Sequence, residues 1–470
     1  MQLWETEKEK YIWDAGGRYL IEKSVMVDSV GGDWLTTQYY YDLKGDLSKI
    51  TQPNGLSNYF GYDEFGRLRT KYRVVDGALK MDESYDYKLY TDSGSAGENY
   101  MSKFEYLDLN DAREERVYLN GLSMPSQGVE ADGGGDEKAR VLIHEYDPAL
   151  REPKGYLPYA INSNLIGYRP NAGSEQKEFY KSDYAYVETE YENDLRGRVI
   201  GKIKSGEDVR SADAKCSIEY RCNTIGEVLW LTSTMSGALK VMGHYADSTL
   251  YCTRVIDEDG KEQMTYKDMM GRVILERKLL KETSGADTNV DTYYVYDDYT
   301  NLRYVIPADV SAILEEGNTY TDDSDVVKQS FYYEYDGFGR EVRSHIPCCD
   351  SETKAYDKRG LMIRYEGPRE KRMSVYREYV YDGARRLLEE RVVGERSAML
   401  MHKLFYDRAM SDGLSYREGG SQMPSPDALL HNMKGLLTGE WIAIYDDTFY
   451  NVNPSYLKRA YYYDKMGQLV

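Results

Sequence analysis

The chain has 470 residues and a formal charge of −20, with Asp and Glu dispersed rather than gathered in blocks. That balance disfavours nucleic acid and anionic membrane as partners, and no apolar run is long enough to insert across a bilayer. Cys216, Cys222, Cys252, Cys348 and Cys349 are too few and too irregularly spaced for a disulfide framework.

One phrase returns along the chain: Tyr-Asp, two or three variable residues, Gly, then Arg or a polar residue and Leu or Val. Trp13-Asp14-Ala15-Gly16-Gly17-Arg18-Tyr19-Leu20 is a first, degenerate copy. Tyr41-Asp42-Leu43-Lys44-Gly45-Asp46-Leu47 and Tyr62-Asp63-Glu64-Phe65-Gly66-Arg67-Leu68 are clean ones. Residues 1–80 therefore read as compact hairpins. Residues 81–140 read as irregular and loop-rich, with surface loops at 91–97 and 128–135.

Hairpins resume over 141–470. Longer copies occupy 191–199, 220–228 and 266–273, and 282–291 reads as a polar loop. In Tyr296-Asp297-Asp298-Tyr299-Thr300-Asn301-Leu302 the Gly has become Thr, and Asn301 is expected to take the left-handed conformation. Short helices are predicted over 308–316, after Pro307, and over 427–434, after Ser425-Pro426. Clean phrases return at Tyr335-Asp336-Gly337-Phe338-Gly339-Arg340, Tyr356-Asp357-Lys358-Arg359-Gly360-Leu361 and Tyr463-Asp464-Lys465-Met466-Gly467-Gln468-Leu469. Tyr381-Asp382-Gly383-Ala384-Arg385-Arg386-Leu387 has lost its turn Gly.

Residues flanking the phrase alternate with the strand period, as in Phe331-Tyr332-Tyr333-Glu334-Tyr335. Asp can accept hydrogen bonds from the turn it opens, and Gly supplies the left-handed residue that closes a hairpin with a bulge. The structural turn residues are thus Tyr41, Asp42, Gly45, Tyr62, Asp63, Gly66, Arg67, Tyr335, Asp336, Gly339, Arg340, Tyr356, Asp357, Gly360, Tyr463, Asp464 and Gly467. An Arg after the Gly is expected to stack on a neighbouring Tyr or pair with the turn Asp of an adjacent hairpin. Tyrosine outnumbers phenylalanine 48 to 8. A buried Tyr needs a partner for its hydroxyl, so the faces should be stacked yet wet, in a thin, extended or hollow sheet. The fold class is all-β: an array of antiparallel β-hairpins coiled as a ribbon or partial hollow shell, with a few short helices.

Candidate chemistry is weak. Carboxylate pairs are expected by chance among eighty acidic residues. His345 lies near Cys348 and Cys349, but the other histidines do not complete a zinc pattern. Asp287-Thr288-Asn289-Val290-Asp291 imitates a calcium loop, yet Thr292 stands where Gly is required. Gly133-Gly134-Gly135 is flanked by acids that would repel a phosphate. No catalytic, cofactor-binding or metal-binding residue is assigned, and no cofactor is expected.

The repeated Tyr-Asp-x-x-Gly-Arg-Leu phrase resembles the RHS/YD-repeat family of bacterial polymorphic toxins, insecticidal toxin complexes and teneurins. The stretches 146–159 and 291–307 resemble one bacterial branch, and the likeness is weakest over 91–136. It implies a β-ribbon coiled into a shell that encapsulates or presents a C-terminal toxin-type cargo. No Asp-Pro-x-Gly-Leu self-cleavage motif is recognisable, so cleavage is not carried over. The implied partners are an enclosed toxin domain or the remaining shell repeats. The alternative is an extracellular adhesion or carbohydrate-binding array meeting a cell-surface glycan or protein. Trp4, Trp13, Trp34, Trp230 and Trp441 lack the periodic placement a sugar-stacking groove needs. The start has no basic-then-apolar signal pattern and the end follows a turn, so a piece of a longer secreted or cell-surface protein is expected.

Overall fold

The computed structural model describes residues 9–27, 32–75, 78–89, 99–108, 111–132, 138–194, 196–207, 215–234, 237–280, 288–395, 397–408, 433–444, 455–463 and 469. The architecture is all-β, and almost every strand pairs antiparallel with its neighbours in sequence. The chain divides into two compact units. Unit 1 comprises Met1–Asp86, Lys103–Arg113 and Thr353–Val470; unit 2 comprises Tyr87–Ser102 and Glu114–Glu352.

Unit 1 holds two runs of hairpins, one from Glu9–Trp13 to Ala78–Lys88 and one from Glu352–Tyr356 to Ser455–Ala460. Their pairing register shifts at the phrase tyrosine, between Tyr40 and Tyr41, Gly61 and Tyr62, Ala355 and Tyr356, and Val380 and Tyr381. That shift is the bulge demanded by a turn closed with one left-handed residue. Among the described residues of unit 1, the one buried apolar side chain is Met433; the others buried are Ser24, Ser57, Glu370, Asp382, Thr438 and Glu440. A short helix, Pro368–Arg372, joins two strands with Pro368 in its first turn, where the missing N–H is harmless.

Unit 2 continues the same hairpin pattern but adds a second layer. Leu229–Ser233, Leu239–His244 and Thr319–Tyr320 leave the main ladder and form a separate small sheet. Leu239, Val241, Leu275, Val295 and Ile306 meet in one cluster, each at most 1 % exposed. A smaller cluster holds Tyr118, Val129, Val141 and Tyr159. The wet, thin sheet expected from the tyrosine content is therefore absent here. The reason is local: Val273–Leu280 reads VILERKLL, an aliphatic strand that the whole-chain composition conceals.

Residues 81–140 carry regular strands, among them Tyr100–Asp108, Asp111–Leu119 and Pro125–Glu130. Residues 128–130, read from the sequence as loop, are strand, and Val129 is 1 % exposed. Thr288–Tyr296 likewise takes the end of the expected polar loop into a strand. Residues 91–97, 133–135 and 282–287 lie outside the described residues. The helix expected over 308–316 is shorter, Ala308–Ser311; that over 427–434 lies outside the described residues except for 433–434, which are not helical. Three further helices appear: Ala172–Tyr180, Asp325–Lys328 and Pro368–Arg372. The longest covers a change of sheet, where Lys154–Tyr156 pairs with Tyr186–Tyr191 and Tyr159–Ala160 pairs with Arg140–Ile143. There Gln176, 1 % exposed, donates its amide to the carbonyls of Leu157 and Ala185 at 2.8 and 2.9 Å.

Candidate functional site

The recurrent residues assemble one arrangement many times over. In the Tyr62 turn the N–H of Gly66 reaches the Asp63 carbonyl at 3.1 Å, and the N–H of Asp63 reaches the Arg67 carbonyl at 3.0 Å. One oxygen of the Asp63 carboxylate accepts the N–H groups of Phe65 and Arg67 at 2.9 and 3.0 Å. The other accepts Arg67 Nε at 2.7 Å. Asp42, Asp336 and Asp357 each take two backbone N–H groups in the same way. Gly45, Gly66, Gly339 and Gly360 hold φ between 74° and 95°.

Gly45 has a second reason to lack a side chain, because a Cβ there would overlap the Tyr19 hydroxyl. Thr300 itself, with φ 70°, takes the left-handed place that the sequence had suggested for Asn301. Leu150 and Arg385 do the same at φ 60° and 65°. Asp464 and Gly467 lie outside the described residues.

The phrase tyrosine acts between hairpins. Tyr62 donates its hydroxyl to the Leu47 carbonyl at 3.0 Å, and Leu47 is the residue paired with Tyr41, the tyrosine of the preceding phrase. The rule repeats. Tyr41 reaches Leu20, opposite Trp13; Tyr220 reaches Val199, opposite Tyr191; Tyr335 reaches Leu302, opposite Tyr296. Tyr381 reaches Met362, opposite Tyr356, and Tyr463 reaches Leu437, opposite Tyr406. Each phenol thus ties its hairpin to the one before.

The turn arginine adds a second tie. Arg151, Arg198, Arg272 and Arg386 lie 4.6, 4.7, 4.9 and 4.4 Å from the ring centres of Tyr191, Tyr220, Tyr296 and Tyr406, each on the next hairpin. Their carboxylate partner is usually the Asp of their own turn, as in Arg272–Asp268 and Arg340–Asp336, rather than that of the adjacent hairpin. Arg386 bridges both, to Asp382 and to Asp407. Such a hydrogen bond contributes about 0.5–1.5 kcal/mol and such a stack about 0.5–2 kcal/mol. The Arg340 guanidinium holds the Asp336 carboxyl below its ordinary range, as the Arg151 backbone and side chain do for Asp147.

Two of the residues weighed for chemistry, Asp291 and His345, have other partners. Asp291 accepts Arg277 through both oxygens at 2.8 and 2.7 Å. His345 Nε2 lies 3.0 Å from the Lys328 carbonyl. All five cysteines are free, and no cluster able to hold a metal occurs among the described residues. Sequence reasoning missed one charged network in unit 2: Glu227 accepts Tyr266 at 2.6 Å and pairs with Arg221. Burial pushes Glu227 up, but the hydrogen bonds from Arg221 and Tyr266 outweigh it and hold the carboxyl at about 2. Those partners are scattered in sequence, so no local pattern announces them.

The RHS repeat family model matches residues 41–79, and that of a domain of unknown function, DUF6443, matches residues 90–222. No curated protein matches. Solved structures share the fold along 99 % of the chain. The crystal structure of TcdB2-TccC3 is 14 % identical with a TM-score of 0.61, and the Photorhabdus luminescens Tc holotoxin pore is 13 % identical with a TM-score of 0.57. The chain spans 25 % and 27 % of the length of those two. The chain thus carries an RHS repeat at residues 41–79 and shares along its length the fold of these Tc toxin structures.

Proposed function

We propose that the chain is a stretch of RHS/YD shell wall that encloses or presents a toxin-type cargo domain lying outside it, and that it performs no catalysis. The observation that carries this reading is the fate of the recurrent residues. Where they are present among the described residues, the phrase Tyr, Asp, Gly and Arg serve to close one hairpin and tie it to its neighbour, as at Tyr62, Asp63 and Arg272. An arrangement repeated for cohesion builds a wall, whereas a catalytic site needs a unique convergence of groups. The likeness to TcdB2-TccC3 structures supports containment over adhesion. Among the described residues no helix is long and apolar enough to cross a membrane, in keeping with a secreted or surface-presented wall.

Limited proteolysis of the protein expressed from its complete gene tests the proposal. A segment beyond the repeats should resist trypsin while the wall is folded and become cleavable once the wall is unfolded in urea. Equal cleavage in both states would overturn containment.

A further inference from the structure

Of the five cysteines, three are held apart by the ladder. Cys222 pairs with Tyr251, and Cys252 with Arg221 on the next rung, so the two side chains stand on opposite faces. Cys216 lies six residues from Cys222 along one strand, about 20 Å. In the sheet order, at least five strands separate the strands bearing these three from Glu341–His345, which leads to Cys348 and Cys349. Those two are exposed neighbours, and both lie outside any strand.

Their turn is of a kind that ordinarily uses glycine. The Cys349 N–H donates to the Ile346 carbonyl at 3.0 Å, Pro347 stands second, and Cys348 stands third with φ 64°. This is the pattern of a type II turn, whose third place favours glycine. In a strand, neighbouring side chains point to opposite faces. The turn lifts that constraint, and both thiols reach water. Metal is disfavoured as their ligand: no third ligating side chain joins them among the described residues, and His345 Nε2 faces the Lys328 carbonyl at 3.0 Å.

We infer that Cys348 and Cys349 are a site of reversible disulfide formation with each other, by exchange with a small disulfide of the glutathione class. The thiolate of one cysteine attacks a sulfur of the small disulfide, forming a mixed disulfide and releasing one small thiolate. The thiolate of the other attacks the protein sulfur of the mixed disulfide, forming the Sγ–Sγ bond and releasing the second. The two protons given up by the cysteines pass to the two leaving thiolates. One protein dithiol is oxidised, and one small disulfide is reduced to two thiols. The second step is fast because the attacking thiol sits on the adjacent residue. A ring between neighbours draws their Cβ atoms closer than a relaxed backbone sets them, which makes the bond easily reduced. None of this depends on the shell-wall reading, although export to an oxidising compartment would favour the closed form.

For the test, the protein expressed from its complete gene is equilibrated with mixtures of reduced and oxidised glutathione. It is then quenched with acid, alkylated with N-ethylmaleimide and digested with trypsin. Ser344–Lys354 is the tryptic peptide that carries both cysteines. As the oxidised fraction rises, this peptide should lose two hydrogens and both alkylation sites together, and dithiothreitol should restore them. In Cys349→Ser the ring cannot close, and Cys348 should instead retain glutathione. Three results on the unmodified protein would each overturn the inference: glutathione held on this peptide at equilibrium, a bond from it to another cysteine or a second chain, or two alkylated thiols in every mixture.

Discussion

Unit 1 and unit 2 use the same hairpin phrase but bury different things. In unit 2 the ties between hairpins are backed by a dry cluster of Leu239, Val241, Leu275, Val295 and Ile306. In unit 1 the buried groups are mostly polar and paired. Arg386 joins Asp382 to Asp407, Arg377 joins Glu370 to Glu390, and Glu440 collects Tyr461, Arg459 and His402 at 2.6, 3.0 and 2.9 Å. The contrast teaches that the phrase supplies cohesion by itself, while an oily layer is an addition made where aliphatic strands allow it.

Truncating that layer should have the largest effect. Leu275→Ala in unit 2 is expected to cost about 2–5 kcal/mol in urea unfolding. Ile50→Ala in unit 1, where Ile50 is half-buried, should cost clearly less. Equal losses would erase the distinction between the units. Next, Gly45→Ala forces a side chain onto the Tyr19 hydroxyl at φ 95° and should cost more than the roughly 1–2 kcal/mol of the left-handed backbone alone. Tyr62→Phe removes one tie while keeping the ring, for a loss of about 0.5–1.5 kcal/mol. Faster amide exchange should then appear in both hairpins it joins. The smallest change has the opposite sign: Thr300→Gly relieves a left-handed β-branched residue and should raise stability by about 1 kcal/mol.

Acid sharpens the comparison further. Glu227 sits at about 2 in the folded chain, below the usual value of about 4.3. Its contribution is fully present above the usual value and is lost as pH falls through about 2. The lowered Asp147 and Asp336 act with the same sign. Glu227→Gln should flatten the acid limb of unit 2 in melting curves, and an unchanged limb would show that the network does not govern it.

Much of this was legible in the residues. Asp, Gly and strand alternation are local signals, so the hairpins and their turn chemistry follow from the phrase. The tie from Tyr62 to Leu47 is not local, because it needs the register between successive hairpins. The helix Ala172–Tyr180 was missed although Glu175 occupies its first turn, because Gln176 anchors it to the carbonyls of Leu157 and Ala185 outside the helix, a contact no local pattern announces. The Asp325–Lys328 and Pro368–Arg372 helices did leave signals, Ser324 as a cap and Pro368 in the first turn. The dry cluster was hidden because a chain-wide excess of tyrosine says nothing about where the leucines, valines and isoleucines meet.

Native-state hydrogen exchange, read strand by strand, tests the central point most directly. If ties between hairpins suffice for cohesion, Leu47–Thr51 and Ser57–Tyr62 in unit 1 will show sustained protection. Their protection will fall together in Tyr62→Phe, while that of Val273–Leu280 in unit 2 remains unchanged. Unit 1 strands that exchange as fast as unfolded chain in the unmodified protein would contradict the account.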